Sequence, residues 1–238
     1  MAKKLKKQRA GKQFEGSLLE NPDSIATSFS RGEDFLKKNG KVVGGLIAAG
    51  IVIIAGILIF QINKANQNKT AQSEMFQAVY YYEQDSVELA LNGDGLNAGF
   101  LQIIDDYGGT DAANLSNFYV GSIYLSQGNF QGAIDHLRKF SADDYFVQSK
   151  AYALIGDAYM ELGQFDEGIN YYQRAANNEE NKYFTPRYLE KLAIAYEEAG
   201  QINQAIATYE RIEKEYSDSF EYTAALKHKT RLEGLAAN

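Results

Sequence analysis

Cysteine is absent from this chain of 238 residues. Without it there is no disulfide to staple a fold, no thiolate nucleophile and no thiolate metal site, so packing alone must hold the structure. Histidine is scarce: only His136 and His228 occur, and neither has an acid or hydroxyl at relay spacing in the sequence, so both read as surface residues. No glycine-rich phosphate cradle, metal-ligand spacing or serine-nucleophile motif is present. Acids occur as adjacent pairs, as in Asp105-Asp106, Asp143-Asp144, Glu179-Glu180 and Glu197-Glu198. Adjacent residues diverge on a helix, so these read as solvated charge. The expectation is a protein that is not an enzyme, with no cofactor and no metal.

Charge is missing altogether from Val42 to Phe60 (VVGGLIAAGIVIIAGILIF), a stretch that also lacks proline. At about 1.5 Å per residue it spans roughly 28 Å, close to the roughly 30 Å of a bilayer core. Ahead of it, Met1 to Lys41 carries ten Lys or Arg against five acids, net +5; with −7 overall, −12 is left for the remainder. In the twenty residues after Phe60 only Lys64 and Lys69 are basic. Basic flanks stay cytoplasmic, which predicts the N-terminus inside and the C-terminal portion exported. The long charged arm does not suit a signal peptide, and no small-x-small cleavage site follows Phe60, so the anchor is expected to persist. The opening run MAKKLKKQRAGK reads as a topology signal. A charge of −12 argues against nucleic acid or anionic lipid as the ligand of the C-terminal portion.

Within the apolar stretch, Gly45, Ala49 and Gly56 lie at i, i+4 and i+11, and Gly44, Ala48 and Ala55 repeat the pattern one residue earlier. These small side chains share one helix face, on which another membrane helix is expected to dock.

The exported portion shows helical spacing throughout. Met75, Phe76, Val79, Tyr80, Tyr82 and Val87 predict a helix ending near Asn92-Gly93, and Leu96, Phe100, Ile103, Ile104 and Tyr107 a second, making a hairpin. From Asp111 a repeat emerges. Asn117-x-x-Val120-Gly121-x-x-Tyr124, Tyr152-x-x-Ile155-Gly156-x-x-Tyr159 and Leu189-x-x-Leu192-Ala193-x-x-Tyr196 align at spacings of 35 and 37. Each tyrosine is followed four residues on by glycine (Gly128, Gly163, Gly200), then by Phe130, Phe165 or Ile202. A small and a large residue follow four apart: Ala133 and Leu137, Gly168 and Tyr172, Ala205 and Tyr209. This is the tetratricopeptide pattern of helix, turn and helix. Small residues admit the partner helix, tyrosines wedge between helices, and glycine accepts the left-handed cap.

One repeat cannot bury its own apolar face, so both ends need caps. The hairpin covers the front. A helix over Ser219 to Glu233 closes the back, with Phe220, Tyr222, Ala225 and Leu226 inward and Lys227, Lys229 and Arg231 outward; Thr110 and Ser219 are expected N-caps. The predicted organisation is all-α, a single N-terminal transmembrane helix followed by a tetratricopeptide solenoid. Residues 1–41 form a basic cytoplasmic arm, 42–62 the transmembrane helix and 63–110 a hairpin that is a degenerate repeat. Residues 111–238 form three repeats with a C-terminal capping helix.

Such a solenoid offers a concave groove lined by the first helix of each pair. The expected lining is Leu115, Phe118, Ser122 and Leu125, then Lys150, Ala153, Asp157, Met160 and Glu161, then Arg187, Glu190, Ile194, Glu197 and Glu198. The groove would run from apolar at the membrane end to acidic at the far end. The basic clamp by which some tetratricopeptide proteins grip a terminal carboxylate is absent, with Phe118, Ser122 and Leu154 at its positions.

The basic arm, single anchor and acidic repeat domain together resemble the YfgM-type proteins, ancillary subunits of the bacterial Sec translocon. The likeness rests on EDFLKKNGK before the anchor, on GFLQIIDDYGGTDAANLSNFYVGSIYLSQGNFQGAI, and on GDAYMELGQFDEGINYYQRAA. It implies an inner-membrane protein with a periplasmic domain, partnered by SecYEG and by a membrane-anchored chaperone of the PpiD type; the groove is expected to hold such a chaperone or an emerging exported polypeptide. Two other readings of the residues remain open. One is a scaffold in another envelope complex, such as division or outer-membrane assembly; the other places the repeats in the cytosol on an organelle surface.

Overall fold

The structure, a computed structural model, describes residues 22–236, with side chains over 37–235. The basic run MAKKLKKQRAGK lies outside the described residues. Among them are ten helices and no strand, and the chain divides into two units, Met1–Ile62 and Asn63–Asn238.

Helix α1 is Pro22–Glu83. Its first described residue is Pro22, whose fixed φ and missing N–H suit a first helical position. Asn39 departs from helical geometry (φ −118°, ψ 17°) beside Gly40, two weak helix formers in succession. In the first unit the side chains of Val42 to Ile62 are almost all exposed, and this is the one helix among the described residues long and apolar enough to cross a membrane.

In the second unit, α1 contributes Ala71, Met75 and Ala78, one buried stripe at spacings of four and three. They pack with α2 (Val87–Asn92), α3 (Phe100–Asp106) and α4 (Asp111–Ser126) through Leu91, Phe100, Ile103, Val120 and Ile123. The predicted hairpin is therefore three pieces. α1 stops at Glu83 because Asp85 turns left-handed (φ 57°), so no single helix continues to Asn92. Leu96 does not join the second stripe: it precedes α3 and is 94% exposed.

Three helix pairs follow: α4 with α5 (Phe130–Leu137), α6 (Tyr145–Glu161) with α7 (Phe165–Asn177), and α8 (Thr185–Glu198) with α9 (Ile202–Glu215). Each first helix ends alike. Gly128, Gly163 and Gly200 are left-handed (φ 69° to 76°). The next amide donates back to the repeat tyrosine's carbonyl: Asn129 to Tyr124 at 2.8 Å, Gln164 to Tyr159 at 2.9 Å and Gln201 to Tyr196 at 2.8 Å. These bonds satisfy carbonyls the helix end would otherwise leave orphaned. Inside each pair the small residue meets the large one: a Cβ on Gly121 would lie 2.5 Å from Leu137 Cγ, and one on Gly156 2.7 Å from the Tyr172 ring. In the third pair Ala193 and Tyr209 are both fully buried.

Helix α10 (Tyr222–Ala236) closes the domain. Its inward residues are Ala225 and Leu232. Phe220, expected inside, is fully exposed because it precedes the helix, and Leu226 is 37% exposed. Lys229 and Arg231, expected to face solvent, pair with Glu213 (2.5 Å) and Glu197 of the preceding repeat. Thr110 caps α4, accepting from the Ala113 amide at 3.2 Å. Ser219 caps nothing: two residues separate it from α10, and its Oγ is buried without a hydrogen bond among the described residues.

Candidate functional site

Leu125, Asp157, Met160, Glu161, Ile194 and Glu198, all expected in the groove, line one cavity of about 670 Å³ shared by α4 to α8. Phe130, Tyr172, Lys191 and Ala195 complete it. The second and third repeats supply most of the wall because α6 and α8 face it at helical spacing, Asp157/Met160/Glu161 at i, i+3, i+4 and Lys191/Ile194/Ala195/Glu198 at i, i+3, i+4, i+7.

At its centre Asp157 Oδ1 accepts from the Tyr172 hydroxyl at 2.6 Å and from Lys191 Nζ at 2.7 Å. Burial and the neighbouring Asp157 carboxylate push the Tyr172 phenol far above its ordinary range, so it remains a proton donor. Lys191 neutralises Asp157, which leaves the net negative charge of the cavity on the exposed Glu161 and Glu198. The apolar part is Leu125, Phe130, Met160 and Ile194, the last 39% exposed. The chemistry is that of a binding cleft with an apolar wall and an acidic rim.

Other expected groove residues lie elsewhere. Phe118 is 8% exposed and packs on Phe140 with ring centroids 5.1 Å apart, so it belongs to the α4–α6 core, where Leu115 packs too. Lys150 holds its ammonium 5.6 Å from the Phe118 ring. Ser122 donates its hydroxyl to the Phe118 carbonyl at 2.8 Å. Glu197 and Glu198 cannot both face the cavity, since adjacent helical residues point about 100° apart. Glu198 lines it, whereas Glu197 faces α10 and accepts from Tyr209 Oη (2.8 Å), His228 Nδ1 (3.2 Å) and Arg231. Glu190, two turns earlier, points the same way and is half-buried, with Glu221 and His228 as its charged neighbours from that side.

The histidines are structural rather than simply superficial. His136 bonds Asn117 Oδ1 at 2.9 Å and is held below its ordinary pKa mainly by burial; His228 meets Glu197, an acid the fold brings from 31 residues away. No group of His, Asp or Glu able to hold a metal occurs among the described residues. On α1, Gly44, Gly45 and Gly56 have no atom within 4 Å of where a Cβ would stand, and Ala48, Ala49 and Ala55 are exposed.

Sequence reasoning missed Lys191 and Tyr172. The signal for Lys191 was present, since it stands three residues before Ile194 and seven before Glu198. Tyr172 and Phe130 stand at packing positions of the repeat, and both also line the cavity.

Stacked helix pairs around an acidic-apolar cleft define a protein-interaction module. The tetratricopeptide repeat-like domain family matches residues 33–229, and the chain belongs to it. Domains of this kind are typically non-catalytic and bind other proteins. No curated protein shows significant sequence similarity to the chain.

Proposed function

We propose that this chain is a membrane-anchored, non-catalytic adaptor at the Sec translocon, the role implied by its resemblance to YfgM-type subunits. The arm of net +5 before the anchor supports a cytoplasmic N-terminus and a periplasmic repeat domain in the bacterial inner membrane. The small-residue face of Gly44, Gly45, Ala48, Ala49, Ala55 and Gly56 offers a neighbouring membrane helix a close approach. The observation that carries the reading is the cavity itself. An apolar wall of Leu125, Phe130, Met160 and Ile194 suits an unfolded or helical segment, and Glu161 and Glu198 favour basic residues beside it. Its occupant is a PpiD-type chaperone or a chain leaving SecYEG.

Photo-crosslinking amino acids at Met160, Ile194 and Gly45 test this in living cells. Adducts with translocon subunits, exported chains or an envelope chaperone are expected. Adducts only with division or outer-membrane assembly proteins would move the scaffold reading ahead.

A further inference from the structure

The entries to α6, α8 and α10 each carry an exposed aromatic ring, Phe146 in the first turn of α6 and Tyr183 and Phe220 two residues ahead of α8 and α10. Phe146, Tyr183 and Phe220 stand at the same repeat position, 37 residues apart each time. They are 37%, 71% and 101% exposed. Isolated exposed aromatics are ordinary, but three at one register position form a row.

Local contacts place these turns side by side. Asn178, at the end of α7, donates to the Tyr145 carbonyl at 3.3 Å and to Ser149 Oγ at 3.2 Å at the start of α6. Phe146 meets Phe184 edge-to-face at 5.1 Å. The next step is tied by Arg211 of α9, which pairs with Glu180 of the α7–α8 turn at 2.7 Å.

Carboxylates accompany every ring. Asp143, Glu179 and Asp218 are exposed, lie within four residues of Phe146, Tyr183 and Phe220, and make no side-chain bond among the described residues. Their neighbours are occupied: Asp144 caps α6 and Glu180 holds Arg211. One ring already carries a cation, since Lys182 Nζ stands 5.0 Å from the Tyr183 centroid. An aromatic face beside an unpaired carboxylate is the arrangement that receives Lys or Arg through cation–π attraction and charge together.

We propose that this edge, separate from the cavity of α4 to α8, is a docking surface for an extended cationic polypeptide. Its Lys or Arg side chains lie on Phe146, Tyr183 and Phe220 and reach Asp143, Glu179 and Asp218. Charge selects this occupant over an anionic membrane surface, which the same carboxylates repel. The inference holds whatever the cavity binds.

The test uses the full chain in zwitterionic nanodiscs and a fluorescein-labelled peptide of repeated Lys-Ala-Ser triplets. The double variant Tyr183→Ser, Phe220→Ser changes only exposed residues and leaves the net charge alone; circular dichroism verifies its fold. It is expected to weaken peptide binding about five- to thirtyfold. The triple variant Asp143→Asn, Glu179→Gln, Asp218→Asn is expected to weaken it mainly at low salt, whereas Met160→Ser with Ile194→Ser in the cavity has no effect. The proposal is overturned by absence of binding, by unchanged affinity in the aromatic variant, or by loss only in the cavity variant. It is also overturned if the aromatic variant instead loses binding to phosphatidylglycerol vesicles, which would make the edge a membrane contact.

Discussion

The Tyr172 ring occupies the space where a side chain on Gly156 would begin, 2.7 Å from the position of its Cβ. The ring cannot swing away, because it is 5% exposed and its hydroxyl is fixed on Asp157. Gly156→Leu therefore overpacks the α6–α7 pair, at an expected cost of roughly 1 to 3 kcal/mol. Solenoid stability is nearly a sum of neighbour terms, so hydrogen exchange should rise in α6 and α7 more than in residues 63–110. A uniform rise over the whole domain would count against a repeat-by-repeat origin of the stability.

Glu190 and Glu197 lie on one face of α8 with opposite proton linkage. Burial and nearby Glu221 raise the Glu190 pKa, so its contribution is most favourable below the ordinary carboxylate range and is lost as pH rises through its folded value. Burial also acts to raise Glu197, but donors from Tyr209, Arg231 and His228 outweigh it and the net shift is downward. Its stabilisation is present above the ordinary value and lost as pH falls through the lowered one. At pH 7, Glu190→Gln should stabilise by less than about 1 kcal/mol and Glu197→Gln destabilise by roughly 1 to 3 kcal/mol. Both effects should shrink towards pH 3 in urea titrations, as the wild-type carboxylates become protonated.

The repeats were legible because the devices that make them are local. Gly121, Gly156 and Ala193 had to be small and Gly128, Gly163 and Gly200 had to be left-handed, and both demands leave a residue type at a fixed spacing. What decides between two adjacent acids is tertiary. Nothing near Glu197 and Glu198 announces that Arg231 and His228, more than thirty residues away, take one of them out of the cleft. Phe118 misled for a similar reason: its position fits a groove, yet Phe140 from the α5–α6 turn covers it. The break at Asp85 left no glycine or proline to read, since the left-handed residue there is an aspartate.

Topology is directly testable because the chain has no thiol of its own. Asn177 is exposed at the C-terminal end of α7, so Asn177→Cys introduces one accessible thiol without disturbing the core. With ten basic residues before the anchor, that thiol is expected outside the cytoplasm. An impermeant maleimide should label it once the outer envelope alone is opened. Labelling only after the inner membrane is lysed would reverse the orientation.

The Asp157–Lys191 pair sets how strongly the cavity attracts a basic partner. Both side chains are part-exposed, 25% and 38%, so Lys191→Met should cost less than about 1 kcal/mol of stability. It exposes a third carboxylate in a cavity that already holds Glu161 and Glu198. A basic partner should then bind more tightly at low salt, and the gain should fade as salt rises past about 0.15 M, where the screening length is roughly 8 Å. Glu161→Gln with Glu198→Gln should do the reverse, while Met160→Ser with Ile194→Ser should weaken capture at every salt concentration. Phe118→Ala is unsuited to this comparison, because removing a buried ring costs about 3 to 5 kcal/mol and unfolds the site along with the contact. Partner capture measured across a salt series separates the terms. If Lys191→Met weakens capture at low salt, the partner is acidic at this point of contact and Lys191, not the glutamates, is the residue it recognises.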